Sequence, residues 1–216
     1  MGPVRTTVVG VLLAAGQGSR FGSPKALIEL GGQTLAQRGV DLLRAGGADP
    51  VIVVTGAAPL RLPGTLTVYN PEWHTGMGSS LRAALRFLQS GDRAADPAAG
   101  PETPAAPPAA DAVVVTLADQ PLVGVQAVAR LIDACRDGAT VAVATYDGKP
   151  RNPVLLARER WAEVAEMATG DSGARAFLRA RPDLVTFIEC GDVGRADDID
   201  TPEDLARIAA LEAGTL

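Results

Sequence analysis

Residues 8–25 read VVGVLLAAGQGSRFGSPK, an apolar run followed at once by a glycine-rich loop that carries two cations. Val8 to Leu13 is almost wholly aliphatic and rich in β-branched side chains, the pattern of a strand buried on both faces. In the loop, Gly16, Gly18 and Gly22 let backbone amides come close to a phosphate, and Arg20 and Lys25 add positive charge. The plainer alternative is a glycine turn with two solvated bases. Two familiar nucleotide loops do not fit. The dinucleotide pattern G-x-G-x-x-G fails because Gly22 stands one residue late, and the next strong strand ends in Thr55-Gly56 with no acid. The phosphate loop ending in G-K-S/T fails because Gly22 is followed by Ser23-Pro24. A third kind of phosphate loop is required.

Working outward, Thr34 to Ala45 reads as a helix closed by Gly46 and Gly47, and Val51–Thr55 and Leu66–Tyr69 as strands. Leu81, Ala84, Leu85 and Leu88 fall at i, i+3, i+4 and i+7, which predicts a helix over Ser80–Gln89. A strand at Ala112–Leu117, a helix at Gly124–Arg136 and strands at Ala139–Thr145 and Leu184–Glu189 follow. Thr201-Pro202-Glu203-Asp204 begins the last helix: a hydroxyl cap, proline at the first helical position, then acids at the positive dipole end. Strands alternating with helices predict an α/β fold, a mostly parallel sheet with helices on both faces. Asp92 to Asp111 contains five prolines and eight alanines without apolar periodicity, and is expected to be a flexible insertion inside one domain spanning 1–216.

The chain has 216 residues, of which 47% are hydrophobic and 21% charged, the balance of a globular protein with a sizeable core. Its net charge of -5 argues against a non-specific hold on nucleic acid. With one histidine, His74, and two distant cysteines, Cys135 and Cys190, a Cys/His zinc site and a disulfide framework are both excluded. No run approaches 18 apolar residues, so no membrane partner is expected. Met1 to Thr7 lacks the form of a signal peptide, and a cytoplasmic location is expected. Cys135 continues the Val125, Val128, Ile132 stripe as core, and Trp161 is expected to open a helix and anchor it.

In an open α/β sheet, ligands bind beyond the carboxyl ends of the strands. Asp119, in Thr116-Leu-Ala-Asp119-Gln120-Pro121, follows a strand there and suits a magnesium ion shared with substrate phosphates, although a turn before proline would look the same. Asp197-Asp198-Ile199-Asp200 precedes the final helix; Asp198 and Asp200 point the same way if this stretch is extended.

Leu13-Ala-Ala-Gly16-x-Gly18-x-Arg20-x-Gly22-x-x-Lys25, Leu117-Ala-Asp-Gln-Pro121 and Asp198-Ile-Asp-Thr-Pro-Glu-Asp204 together resemble the MobA-like nucleotidyltransferases. Within these, Asn70-Pro-Glu-Trp73, Gly76-Met-Gly-Ser-Ser80 and Gly170-Asp-Ser-Gly-Ala-Arg175 are similar to the molybdenum cofactor cytidylyltransferase branch. The resemblance implies a Rossmann-like nucleotide-diphospho-sugar transferase fold and transfer of a nucleoside monophosphate from an NTP onto a phosphorylated cofactor, with release of pyrophosphate. It implies that Leu13, Ala14, Ala15, Gly16, Gly18, Ser19, Arg20, Gly22, Lys25, Thr55, Asn70, Gly78, Ser79, Ser80 and Asp119 bind the nucleotide. Arg20, Lys25 and Asp119 would be catalytic. Asp119 and Asp200 would hold Mg2+, or Mn2+ in its place, with Asp198 as substitute. Ala14-Ala15-Gly16 resembles the branch that uses CTP rather than GTP. A molybdoenzyme or its maturation chaperone would be the macromolecular partner.

The acceptor side departs from that branch. Where it carries Gly-His-Pro before a strand, this chain has Lys149-Pro150-Arg151-Asn152-Pro153. Gln120, Arg151, Asn152, Pro153, Asp171 and Arg175 are the expected acceptor contacts, with Arg151 either an anion ligand or a surface residue. Asp171 and Arg175 either line the pocket or pair with each other at i, i+4 on a helix. Trp73 either stacks on a ring or covers its loop, His74 is expected as an exposed loop residue rather than a general base, and Ser79 or Ser80 can cap the following helix and touch ligand, with one of the two expected as the cap. Two other functions stay open: an NAD(P)H-dependent oxidoreductase of the same fold acting on a small heteroaromatic substrate, and a non-catalytic cofactor chaperone.

Overall fold

The computed structural model describes residues 6–90 and 108–214. In chain order the elements are β1 (Val8–Leu13), β2 (Glu29–Leu30), β3 (Gln33–Thr34), α1 (Leu35–Ala45), β4 (Val51–Thr55), β5 (Leu66–Tyr69) and α2 (Met77–Ser90). After these come β6 (Ala112–Leu117), α3 (Val125–Arg136), β7 (Val141–Tyr146), β8 (Lys149–Ala157), α4 (Trp161–Met167), α5 (Arg175–Ala180), β9 (Val185–Glu189) and α6 (Pro202–Glu212). Seven strands form one sheet in the order β5-β4-β1-β6-β8-β7-β9, and β2 and β3 form a separate antiparallel pair.

β1 lies inside the sheet, between β4 and β6, and all six of its residues are buried. Along it the side chains alternate between two cores. Val9, Val11 and Leu13 pack with Leu81 and Leu85 of α2 and with Trp161 and Phe177; Val8 and Leu12 pack with Val40 and Leu43 of α1 and Leu131 of α3. Helices therefore cover both faces, which is why β1, β4 and β6 read as continuous apolar runs rather than alternating ones. β1 pairs in parallel with β4 and β6, while β8 runs antiparallel between β6 and β7. The sheet is mostly parallel with one reversed strand. That reversal brings the start of β8 to the edge where the parallel strands end.

The local signals act as expected at most boundaries. Thr34 caps α1 by accepting from the Gln37 amide at 3.2 Å, and Thr201 and Asp204 form a reciprocal capping box on α6. α2 differs: it begins at Met77, three residues before the expected Ser80, so Ser79 and Ser80 lie inside its first turns and neither is its cap. Gly173, at φ 53°, separates the short 3-10 turn holding Asp171 from α5, so Asp171 and Arg175 do not share one helix as an i, i+4 pair. Of the expected insertion, residues 92–107 lie outside the described residues. Its last residues are folded: Ala110 is buried and the Asp111 carbonyl accepts from the Arg158 amide at 2.7 Å. Among the described residues, no helix is long and apolar enough to cross a membrane.

Trp161 anchors α4 as the sequence suggests. It is fully buried, its indole N–H donates to the Leu156 carbonyl at 3.0 Å, and the Arg158 guanidinium lies 5.7 Å from its ring. Trp161→Ala is expected to cost about 3–5 kcal/mol through the cavity it leaves. Urea unfolding would register this as a lower midpoint, and an unchanged midpoint would contradict the anchoring role.

Candidate active site

The loop after β1 is built for an anion before any side chain is considered. Leu13, Ala14 and Ala15 are buried where the strand ends, and Ala14 donates to the Val54 carbonyl at 3.0 Å. Gly16, Gln17, Ser19 and Arg20 are then exposed. Among the described residues, the amides of Gly16, Gln17, Gly18 and Ser19 donate to no protein acceptor, whereas those of Phe21 and Gly22 both donate to the Gly18 carbonyl at 2.9 Å. Successive unpaired amides beside a tight turn form a nest of partial positive charge. Gly18, at φ 64°, sets the turn, and a side chain there would collide with the Ser23 carbonyl. Arg20 stands exposed on this turn, with no ion pair among the described residues.

Lys25 opens a 3-10 turn at the end of the loop and points back toward the sheet. Its ammonium donates to Asp119 Oδ2 at 2.7 Å and to Asp200 Oδ1 at 2.5 Å. Burial works against the charged ammonium, and the two carboxylates outweigh it, so the Lys25 pKa lies above its ordinary value. Asp119 is placed by the turn that follows β6. Asp200 is placed by Ile199, which is fully buried against Ile28, Leu30, Leu35 and Ile208, while its amide donates to the Asp119 carbonyl at 2.9 Å. With Ile199 turned inward, Asp198 and Asp200 both face the site, as an extended stretch requires. Asp198 accepts from Gln120 Nε2 at 2.8 Å. Gln120 is itself buried.

The donor set fits a hard divalent cation. Two carboxylates already converge on one positive charge, the Lys25 ammonium, at hydrogen-bonding distance. Among the described residues no three His, Cys, Asp or Glu side chains form a cage supplied by protein alone. Magnesium binds at such places through one or two carboxylates, with substrate phosphates completing its shell.

The loop between β5 and α2 is internally bonded. Asn70 Nδ2 donates to Ser79 Oγ at 2.8 Å and Ser80 Oγ at 3.0 Å, and all three residues are buried, as is Thr55. Gly76 and Gly78 make room for protein: side chains there would meet the backbone of Gly170 and of Ala168 and Thr169. Half-buried Trp73 packs over Gly56 at the end of β4, with exposed His74 edge-on at 6.0 Å. Cys135 packs partly buried against the core and Cys190 is fully buried.

Beside Asp200 the reversed strand opens a cavity of about 560 Å³ lined by Lys149, Arg151, Asp198, Asp200 and Tyr146 among others. Arg151 is the only one of the expected acceptor contacts in its lining. Asp171 and Arg175 lie elsewhere, exposed, with Asp171 against Gly76. Sequence reading missed the residue that shapes this cavity's rim, Glu189. Its carboxylate accepts from Thr145 Oγ1 at 2.7 Å and from the amides of Gly191, Asp147 and Gly148 at 2.9, 3.2 and 3.3 Å. Nothing in the local sequence marks it, since three of its four partners, Thr145, Asp147 and Gly148, come from a neighbouring hairpin.

Gly18→Ala is expected to distort the loop and weaken nucleoside triphosphate binding by about tenfold or more while the chain stays folded. Calorimetry on the variant checks this, and wild-type affinity would contradict the cradle. The Thr145 hydroxyl, then the Gly191 amide, hold the Glu189 carboxyl below its ordinary pKa, against a smaller desolvation cost. A depressed carboxylate stabilises the fold above its unfolded pKa and loses that contribution as pH falls through the folded value. Glu189→Gln is therefore expected to be less stable than wild type at pH 7, with the gap closing below about pH 4. Denaturant unfolding across pH reads it directly, and a gap that does not change with pH would contradict the linkage.

Comparison with known proteins agrees with this fold. The model of the MobA-like NTP transferase domain matches residues 10–185. Nicotine blue oxidoreductase of Paenarthrobacter nicotinovorans is 35% identical over 215 residues, covering 93% of this chain and 96% of its own. The homologue of Mycobacterium tuberculosis rv0371c from Mycobacterium sp. strain JC1 is 31% identical with a TM-score of 0.74, covering 99% of this chain and 100% of its own. Rv0371c from Mycobacterium tuberculosis H37Rv, solved in complex with manganese, is 25% identical with a TM-score of 0.67, over 94% of this chain and 98% of its own. This chain belongs to the MobA-like NTP transferase domain family.

Proposed function

We propose that the chain is a magnesium-dependent nucleotidyltransferase that moves CMP from CTP onto a phosphorylated small-molecule cofactor such as molybdopterin cofactor. The observation that carries the reading is the convergence of Asp119 and Asp200 on one cation beside a loop of unpaired amides. The amides of Gly16 to Ser19 take the triphosphate. Arg20 and Lys25 offset charge on the α-phosphate and on the leaving pyrophosphate. Asp119 and Asp200 hold Mg2+, or Mn2+, with Asp198 in reserve; the manganese complex of a relative supports a divalent ion. When bound, the metal acts as a Lewis acid and a template for the phosphates. An acceptor phosphate oxygen attacks the α-phosphorus, the bond to the bridging oxygen breaks, and pyrophosphate leaves with that electron pair. No protein nucleophile is needed, and the work of the chain is positioning and neutralisation.

Asn70, Gly78, Ser79 and Ser80 contribute through the shape of the loop that faces base and ribose, and Thr55, at the end of β4, holds that loop by accepting from the Asn70 amide at 2.9 Å. A molybdoenzyme or its maturation chaperone would receive the product. The second reading, an NAD(P)H-dependent oxidoreductase, is favoured by one observation: the relative named nicotine blue oxidoreductase covers nearly the whole chain. Against it stand the failed dinucleotide fingerprint and a cavity in which nine of the thirteen lining residues are charged, poorly suited to a neutral heteroaromatic ring.

Release of pyrophosphate from CTP tests the reading when molybdopterin cofactor and magnesium are supplied. Asp119→Ala is expected to abolish that release with the fold intact by circular dichroism. Undiminished release in the variant would remove Asp119 from the metal role, and absence of any metal-dependent release by wild type would sink the transfer.

A further inference from the structure

Five acids, Asp197, Asp198, Asp200, Glu203 and Asp204, fall within the eight residues that lead into α6. Like charges this dense repel one another and drive the segment outward unless a cation holds it. Arg207, on the second turn of α6, supplies one. Its Nη1 donates to Asp197 Oδ1 at 2.7 Å, and its Nη2 lies 3.6 Å from Asp204 Oδ1. The planar fork thus spans the two ends of segment 197–204 and closes it into a loop. Arg195 fastens the other oxygen of half-buried Asp197 at 2.9 Å.

Asp204 connects this closure to Asp200. While its Oδ1 faces Arg207, its Oδ2 accepts from the Asp200 amide at 3.1 Å and from the Thr201 amide at 3.0 Å. Ile208, the residue after Arg207, is fully buried against Ile199. The helix therefore grips the segment twice, with Ile208 inside and Arg207 outside. Asp200 sits between the two grips, with its carboxylate on Lys25. A carboxylate that takes a metal owes its aim to such outer partners, and removing one typically weakens metal affinity by about 10–100-fold.

We propose that Arg207 is a positioning residue: by drawing Asp197 and Asp204 together it fixes the backbone at Asp200, and so aims the Asp200 carboxylate at the cation beside Asp119. The consequence for metal rests on the reading of Asp200 as a ligand of the divalent ion, whereas the clamp is a property of the metal-free chain. Exposed ion pairs add little to global stability, so loss of Arg207 is expected to leave the urea midpoint near that of wild type.

The test compares wild type with R207Q, R207K and, as a remote control, R136Q, which removes the exposed pair with Asp133 on α3. Two readouts are taken on the full chain: exchange of backbone amides by NMR without metal, and calorimetry with Mn·CTP and with metal-free tripolyphosphate. R207Q is expected to speed exchange at Asp200 and Thr201 and to weaken Mn·CTP binding by about tenfold or more, with tripolyphosphate binding unchanged. R207K, a point charge in place of a fork, gives an intermediate loss, and R136Q gives none. D197N opens the clamp from its other end and is expected to match R207Q. Unchanged exchange at Asp200 and Thr201 in R207Q would overturn the proposal. So would equal losses of Mn·CTP and tripolyphosphate, the mark of a direct anion ligand or a weakened fold. A wild type that binds no Mn·CTP, with Asp200 and Thr201 still loosened in R207Q, keeps the clamp and loses the metal reading. Wild-type Mn·CTP affinity in R207Q overturns the positioning role alone.

Discussion

The ammonium of Lys25, held between Asp119 and Asp200, is the contact on which the site depends. It joins residues 94 and 175 positions apart, and so brings the glycine loop, the end of β6 and the segment before α6 to one point. Each part has its own reason to be there. The loop ends a central strand buried on both faces, Asp119 follows the strand paired with it, and Asp200 is carried by the burial of Ile199. Two carboxylates this close would repel each other in a half-buried place, and one positive charge between them removes that cost. The same demand for a cation makes the position suitable for a divalent ion.

The second constraint is the reversed strand. A sheet of parallel strands alone presents only strand ends at its ligand-binding edge. β8, running the other way between β6 and β7, presents its charged beginning there instead. The cavity between this beginning and the segment carrying Asp198 and Asp200 is walled mainly by charge. The glycine loop and the cavity thus meet at the carboxylate pair, the layout that the proposed transfer would use.

Most of this fold is legible in the sequence where a single segment decides its own structure. β1, β4, β5 and β6 stop where their apolar runs stop, and the caps of α1 and α6 are written in Thr34 and in Thr201 with Asp204. What is not legible comes from contacts far along the chain. Gly76 and Gly78 look like residues that clear space for a ligand, but the space is filled by the backbone of residues 168–170. Ser79 and Ser80 look like caps because serine favours that position, yet Asn70 claims their hydroxyls and the helix begins earlier. The direction of β8 has no local signal, and its two prolines argue against a central strand altogether. Glu189 is invisible for the same reason, since it acts on the neighbouring hairpin. At the candidate site the glycine loop, Lys25 and the acids were readable as motifs, whereas the cavity exists only once β8 is reversed.

The most direct measurement is calorimetric titration of the purified chain with CTP, GTP, ATP and NADPH, each with and without magnesium. The account predicts magnesium-dependent binding of CTP and none of NADPH. Binding of NADPH with no nucleoside triphosphate bound under either condition would contradict it, and the loop after β1 would then need another ligand.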